Sequence, residues 1–207
     1  MKDMGAHDLR ITAGTMSSLR AKALEFGFVP LENALGDELM AELRAEALAQ
    51  RANAQPAEGT DANPYLSYIA DVGDCARAFL MDQAVGNLLQ AAFDETLELS
   101  EHANCYTYYE AGSFLSRHRD RPVECVATLI VYLDAASPDP LSPQTGLSLR
   151  VFNDDETGGV KPRTVIPTTV GTVVIGRGSS FWHERPKLQP GERVVALTAC
   201  FRGVATA

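Results

Sequence analysis

With 207 residues and 45% hydrophobic content, the chain reads as a single domain, 1–207, able to bury a core of ordinary size. A formal net charge of −9 argues against a general nucleic-acid binder, because phosphate-contacting surfaces need clustered Lys and Arg. No run of about 18 apolar residues occurs and the opening stretch through His7 lacks a secretory signal, so a cytoplasmic protein without membrane contact is expected.

The first periodic segment is a short apolar strand at 26–31. Asp37 then offers an N-cap, and Leu39, Met40, Leu43, Ala47 and Leu48 share one helical face through about Asn53. The Pro and Gly content of 55–64 predicts a polar loop. A second helical region follows at about 74–93, interrupted near Asp82, with Leu88, Leu89 and Ala92 on its core side. Residues 1–100 are therefore expected to form a mostly helical support.

From about residue 103 the period changes. Short β-rich runs recur at 105–109, 113–118, 125–133, 147–152, 164–166, 172–175, 180–183 and 193–201, bounded by Gly, Pro and Asp. This pattern predicts a sandwich or barrel over 103–202, with the helices of the first half covering one sheet. The four cysteines, Cys75, Cys105, Cys125 and Cys200, lie far apart with no C-x-x-C pair, which predicts buried, reduced thiols.

There are four histidines. His7 and His102 sit in polar surroundings and read as solvated. His118-Arg119-Asp120 closes a predicted strand, where residues i and i+2 project to one side and can meet a single metal ion. Alone the H-x-D pair is common, and a surface histidine beside a capping aspartate is the plain alternative. His183 closes another predicted strand well downstream. Two histidines and one carboxylate with open coordination positions form the facial triad of non-haem Fe(II) oxygenases, while a satisfied core histidine is the competing reading. Arg193 opens an apolar strand. Pointing inward it would need an anion such as a dicarboxylate, and pointing outward it is a solvated strand-end residue after the Gly191-Glu192 turn.

In this order and spacing the motifs resemble the Fe(II)/2-oxoglutarate-dependent dioxygenases, in their prolyl-hydroxylase-like branch. The matching pieces are Tyr109-Glu110-Ala111-Gly112 with Phe114 before His118-Arg119-Asp120, then the strand ending Tyr132-Leu133-Asp134. Gly146-Leu147-Ser148-Leu149-Arg150, Pro167 with Gly171-Thr172, His183-Glu184 and Gly191-Glu192-Arg193 complete the series. The resemblance covers about residues 105–202. It implies a mainly β, double-stranded β-helix (jelly-roll or cupin-like) core flanked by the α-helices of the N-terminal half.

It further implies that His118, Asp120 and His183 bind Fe(II), and that Arg193 pairs with the distal carboxylate of 2-oxoglutarate. Tyr132, on one strand face with Thr128 and Ile130, would add a hydroxyl to that carboxylate. Tyr106 and Tyr108, sharing a face, are candidates for other co-substrate contacts; Tyr108 and Thr128 are counted with the cofactor-binding residues. Val195 departs from relatives that carry a hydroxyl residue at its position. The implied reaction uses O2 to decarboxylate 2-oxoglutarate to succinate and CO2 and to hydroxylate a substrate C–H bond. Because Asp120 is present, hydroxylation rather than halogenation is the implied outcome.

For the substrate, Arg117, Arg119 and Arg121 alternate away from His118 and Asp120, and read mostly as a solvated face. Arg150 and Arg185 are expected nearby, and the acidic segment 153–159 is either an amine-greeting loop or a solvated turn. Together these signals suggest a small molecule, an amino acid or natural-product intermediate. The alternatives are a peptidyl-prolyl hydroxylase and a non-enzymatic cupin-like binding domain. Nucleic-acid dealkylation is disfavoured by the acidic balance. The sequence sets no oligomeric state.

Overall fold

Alternating residues in the second half of the chain give each central strand two different faces, and the architecture follows from what covers each face. The computed structural model describes residues 9–61, 63–153 and 159–204. His7 and residues 154–158 of the acidic segment therefore lie outside the described residues. In chain order the elements are α1 (Ala13–Phe26), β1 (Phe28–Leu31), α2 (Asp37–Gln50), β2 (Gln55–Thr60), β3 (Asn63–Asp71), α3 (Asp74–Leu80), α4 (Gln83–Phe93), β4 (Leu97–Leu99), β5 (Cys105–Tyr109), β6 (Phe114–His118), β7 (Ala127–Ala136), β8 (Ser148–Val151), β9 (Thr164–Pro167), β10 (Val173–Gly176), β11 (His183–Arg185) and β12 (Arg193–Gly203).

Ten strands run antiparallel in the order β1-β10-β7-β12-β5-β3-β6-β11-β8-β9, with β2 paired to β3 and β4 to β12. The sheet turns back on itself at β3, which pairs with β5 through Tyr68–Asp71 and with β6 through Tyr65–Leu66. As a result β6, β8 and β11 face β5, β7 and β12 across a cavity. The result is a nearly closed antiparallel barrel of the jelly-roll type with helices on one side. On the helical side, Leu129 and Val131 of β7 and Leu197 of β12 pack with Leu19, Leu43 and Leu88 in one buried cluster. The alternate residues Thr128, Ile130, Ala196 and Thr198 line the cavity.

The predicted helix at 37–53 and most of the strands after residue 103 have close counterparts, but the strand predicted at 180–183 is displaced: His183 opens β11 instead of closing a strand. The interruption near Asp82 is a helix boundary: its carboxylate caps α4, accepting from Ala84 N at 2.7 Å. Helix α1 has no counterpart in the sequence analysis. It starts on Thr12, whose Oγ1 accepts from Thr15 N at 3.2 Å, and ends at Gly27 with φ 77°.

Two expectations are overturned. The predicted loop at 55–64 is largely the hairpin β2–β3, so the first half is not merely helical. Pro56 is tolerated because β2 pairs only with β3 and forms an edge. The second correction concerns sulfur. Cys75 and Cys105 are free, as expected, but Cys125 and Cys200 form a disulfide. Register explains it: Cys200 pairs with Thr128 across β12 and β7, which brings Cys125 alongside, with a Cα–Cα distance of 4.8 Å.

Candidate active site

Strands β6 and β11 pair so that His118 stands directly opposite His183, and their ring centroids lie 4.2 Å apart. Asp120 follows just past the end of β6, where its backbone N–H donates to Gly178 O at 3.0 Å. Each imidazole is oriented in the same way. Nδ1 of His118 meets Ser116 O at 2.9 Å, and Nδ1 of His183 meets Phe181 O at 3.0 Å. With Nδ1 donating to a carbonyl, Nε2 carries the lone pair and faces the centre. Asp120 Oδ1 lies 3.3 Å from His118 Nε2 and 3.7 Å from His183 Nε2. All three ligand atoms lie within 4.8 Å of one another, a grouping that could hold one metal ion.

The second oxygen of Asp120 is also held. Thr128 Oγ1 donates to Oδ2 at 2.6 Å, and Cys125 Sγ lies 3.4 Å from it. Gly178 permits this approach, since a Cβ there would overlap both Asp120 Oδ2 and Thr128 Oγ1. Burial alone would raise the Asp120 pKa, but His183, His118 and the Thr128 hydroxyl outweigh it and hold the group at about 2. Burial pushes His183 down to about 4. Burial also works against the charged form of His118, yet the Asp120 carboxylate shifts that ring upward. An ionised Asp120 and a neutral His183 at pH 7 are the protonation states that metal ligation requires.

The same cavity, about 300 Å³, contains a feature that the sequence analysis placed only in the vicinity: Arg185. It stands on the cavity side of β11 with His183 and is 4% exposed. Its guanidinium donates to Tyr132 OH at 3.1 Å, to Thr168 Oγ1 at 2.8 Å and to Gly146 O at 3.4 Å. It also lies 5.0 Å from the Tyr109 ring centroid. Among the described residues no carboxylate lies within ion-pairing distance of it. A buried cation held only by neutral acceptors is costly, and a bidentate anion is its natural complement. Glu192 steadies this corner: 3% exposed, it accepts from Gly146 N at 2.9 Å and Gln189 N at 2.8 Å. Gly146 in turn offers its carbonyl to Arg185.

Other expected site residues divide. Tyr132 meets the site through Arg185, its hydroxyl accepting from the guanidinium. Thr128 lines the cavity, but its hydroxyl is engaged by Asp120. Arg193 does not reach the cavity. Val194 and Ala196 take the inward parity of β12, so Arg193 points outward, its side chain 59% exposed and paired with Asp134 at 2.8 Å. It borders a separate cleft of about 470 Å³, where no set of metal-ligating side chains is found among the described residues. Tyr106 and Tyr108 share a face, but it is the helical one: their hydroxyls donate to Glu46 Oε1 and Ala47 O of α2. Tyr109, of opposite parity, lines the cavity instead. Arg117 stacks on Phe152 and pairs with Glu184, in keeping with its expected position away from the triad.

No protein-family model matches the sequence, and no curated protein does. Solved structures do. A prolyl-4-hydroxylase of Pseudomonas putida superposes with a TM-score of 0.66 at 22% identity, over 92% of this chain and 100% of that one. An oxidoreductase of the 2OG-Fe(II) oxygenase family from Burkholderia pseudomallei gives 0.73 at 17% identity, over 96% and 95%. The fold is that of the Fe(II)/2-oxoglutarate oxygenases. The non-haem, α-ketoglutarate-dependent epimerase SnoN from nogalamycin biosynthesis shares this oxygenase fold, with a TM-score of 0.72 at 16% identity over 93% of this chain and 82% of that one.

Proposed function

We propose that this oxygenase-fold protein is an Fe(II)- and 2-oxoglutarate-dependent hydroxylase acting on a small molecule. The observation that carries the reading is the meeting of the His118–Asp120–His183 set and the carboxylate-free guanidinium of Arg185 in one cavity. His118 and His183 would give their Nε2 atoms to Fe(II), and Asp120 would give Oδ1 while Thr128 keeps Oδ2 occupied. The donor set fits a ferrous ion, being two neutral imidazoles and one ionised carboxylate. Arg185, with the Tyr132 hydroxyl, would take the distal carboxylate of 2-oxoglutarate, the role the sequence had suggested for Arg193. When bound, Fe(II) with 2-oxoglutarate and O2 supplies the oxidising power, giving succinate and CO2 beside the hydroxylated product.

The chain's own part is to bind and orient. Ser116 and Phe181 carbonyls fix both imidazole tautomers, and Thr128 fixes the carboxylate plane. The facing strands of the barrel bury His183 and Arg185, each 4% exposed, between them. SnoN, a natural-product enzyme by its description, and the modest cavity favour a small substrate. A peptidyl-prolyl substrate, suggested by the Pseudomonas neighbour, is the second reading. No helix among the described residues is long and apolar enough to cross a membrane.

Calorimetry tests the core of the proposal without turnover. Under anaerobic conditions, 2-oxoglutarate should bind the Fe(II)-loaded protein and bind much more weakly without metal. Binding independent of metal, or none at all, would overturn it. Succinate release with a metabolite panel against proline-containing peptides then separates the two substrate readings.

A further inference from the structure

Once the triad and Arg185 are committed to metal and co-substrate, the rest of the cavity has a distinct character. That remainder is lined by Ala57, Tyr65, Ser67, Ile69, Thr107 and Leu115, from β2, β3, β5 and β6. The registers make these residues neighbours: Ala57 pairs with Ser67, Ile69 with Thr107, and Tyr65 with Leu115. Beyond His118, Asp120, His183 and Arg185 the lining contains no carboxylate, imidazole, ammonium or guanidinium among the described residues, and its free thiol, Cys105, is kept neutral by burial. Ser67 is 4% exposed, and neither its hydroxyl nor that of Tyr65 takes part in a hydrogen bond among the described residues.

We infer that the part of the substrate reaching the metal is uncharged and mainly apolar, carrying a carbonyl or hydroxyl group that Ser67 or Tyr65 can meet. This rests on the function proposed above and narrows it. A carboxylate or ammonium moved into this space would lose its hydration and find no opposite charge, whereas a neutral oxygen finds a hydroxyl. Free amino acids, one of the two small-molecule classes expected from the sequence, are therefore poor occupants. The other arginines near the triad are engaged elsewhere: Arg117 and Arg150 with Glu184, Arg121 with Glu124, and Arg119 over Trp182.

The test uses probes matched in shape and different in charge: cyclohexanone, cyclohexanecarboxylate and cyclohexylamine, with L-leucine as a zwitterion. Each is titrated anaerobically into protein loaded with Fe(II) and saturating 2-oxoglutarate. Cyclohexanone should bind at least about tenfold more tightly than any charged probe. A charged probe that binds as well, or failure of all four to bind, would overturn the inference. Loss of metal-dependent 2-oxoglutarate binding would instead remove the underlying function, so the two failures are distinguishable. Placement is tested by Ile69→Asp, tolerable at a position 39% exposed, with Ser67→Asp as the second variant. Either should reverse the order in favour of cyclohexylamine by about tenfold; an unchanged order in both would show that the substrate lies elsewhere.

Discussion

The two faces of the central strands treat their polar groups in opposite ways. Toward the helices, every tyrosine hydroxyl of β5 is answered within the protein: Tyr106 by Glu46, and Tyr108 by a carbonyl of α2. Glu46 is answered in its turn, accepting from Cys75 N and Ala76 N at the start of α3. Toward the cavity, polar groups are aimed but left incomplete. Two Nε2 atoms and one carboxylate oxygen converge there, and the buried guanidinium of Arg185 has only neutral acceptors among the described residues. A satisfied polar network specifies packing, and an unsatisfied one of complementary geometry specifies a ligand.

Substitutions on the two faces should therefore differ in kind. The largest effect is expected from Asp120→Ala, which should abolish hydroxylation and Fe(II) binding while the fold, followed by circular dichroism, persists. Arg185→Leu comes next. Loss of charge-assisted hydrogen bonds should raise the 2-oxoglutarate KM about 10- to 100-fold while Fe(II) affinity stays intact. Thr128→Val should lower metal affinity about tenfold, with substantial recovery in Thr128→Ser, because the hydroxyl positions Asp120. Unaltered metal affinity in the valine variant would remove that role.

Smaller effects are expected away from the cavity. The Glu192 carboxyl is disfavoured by burial, but hydrogen bonds from Thr145, Gln189, Gly146 and Ser137 outweigh this and lower its pKa. A carboxylate with a lowered folded pKa stabilises the protein above its ordinary value of 4.5, and that stability is lost as pH falls through the folded value. Melting temperature on acidification should thus drop more steeply in the native protein than in Glu192→Gln. The smallest effect belongs to Arg193→Ala. An exposed pair with Asp134 contributes about 0–1 kcal/mol, and 2-oxoglutarate kinetics should not change. A sharp rise in KM there, with none in Arg185→Leu, would invert the assignment of the two arginines.

That inversion marks where sequence reading stopped. His118 and Asp120, two residues apart near a strand end, could be placed on one side because the side-chain period is two. The same reasoning extends from His183 to Arg185, which makes that arginine legible after the fact. Arg193 misled because β12 is apolar on both faces, buried by helices on one side and by the cavity on the other, so alternation gives no parity. Tyr106 and Tyr108 failed for the same reason: a shared face could be inferred, but not which face. The β2–β3 hairpin was hidden by Pro56, Gly59 and Pro64, residues that usually break strands; Pro56 and Gly59 lie on the edge strand β2, and Pro64 is the second residue of β3. Helix α1 buries only Leu19 and Ala23, too sparse an apolar stripe to announce itself.

The bond between Cys125 and Cys200 has a consequence at the bench. Ferrous iron must be shielded from oxidation during handling, and thiols such as dithiothreitol are a common choice. In this protein a dithiol threatens the sulfur bridge beside Asp120, and once opened it leaves two thiols next to that carboxylate, ready to capture thiophilic contaminants such as zinc. Ascorbate does not attack the bridge, so under the proposed function the selection of reductant becomes a choice about which metal would occupy the pocket.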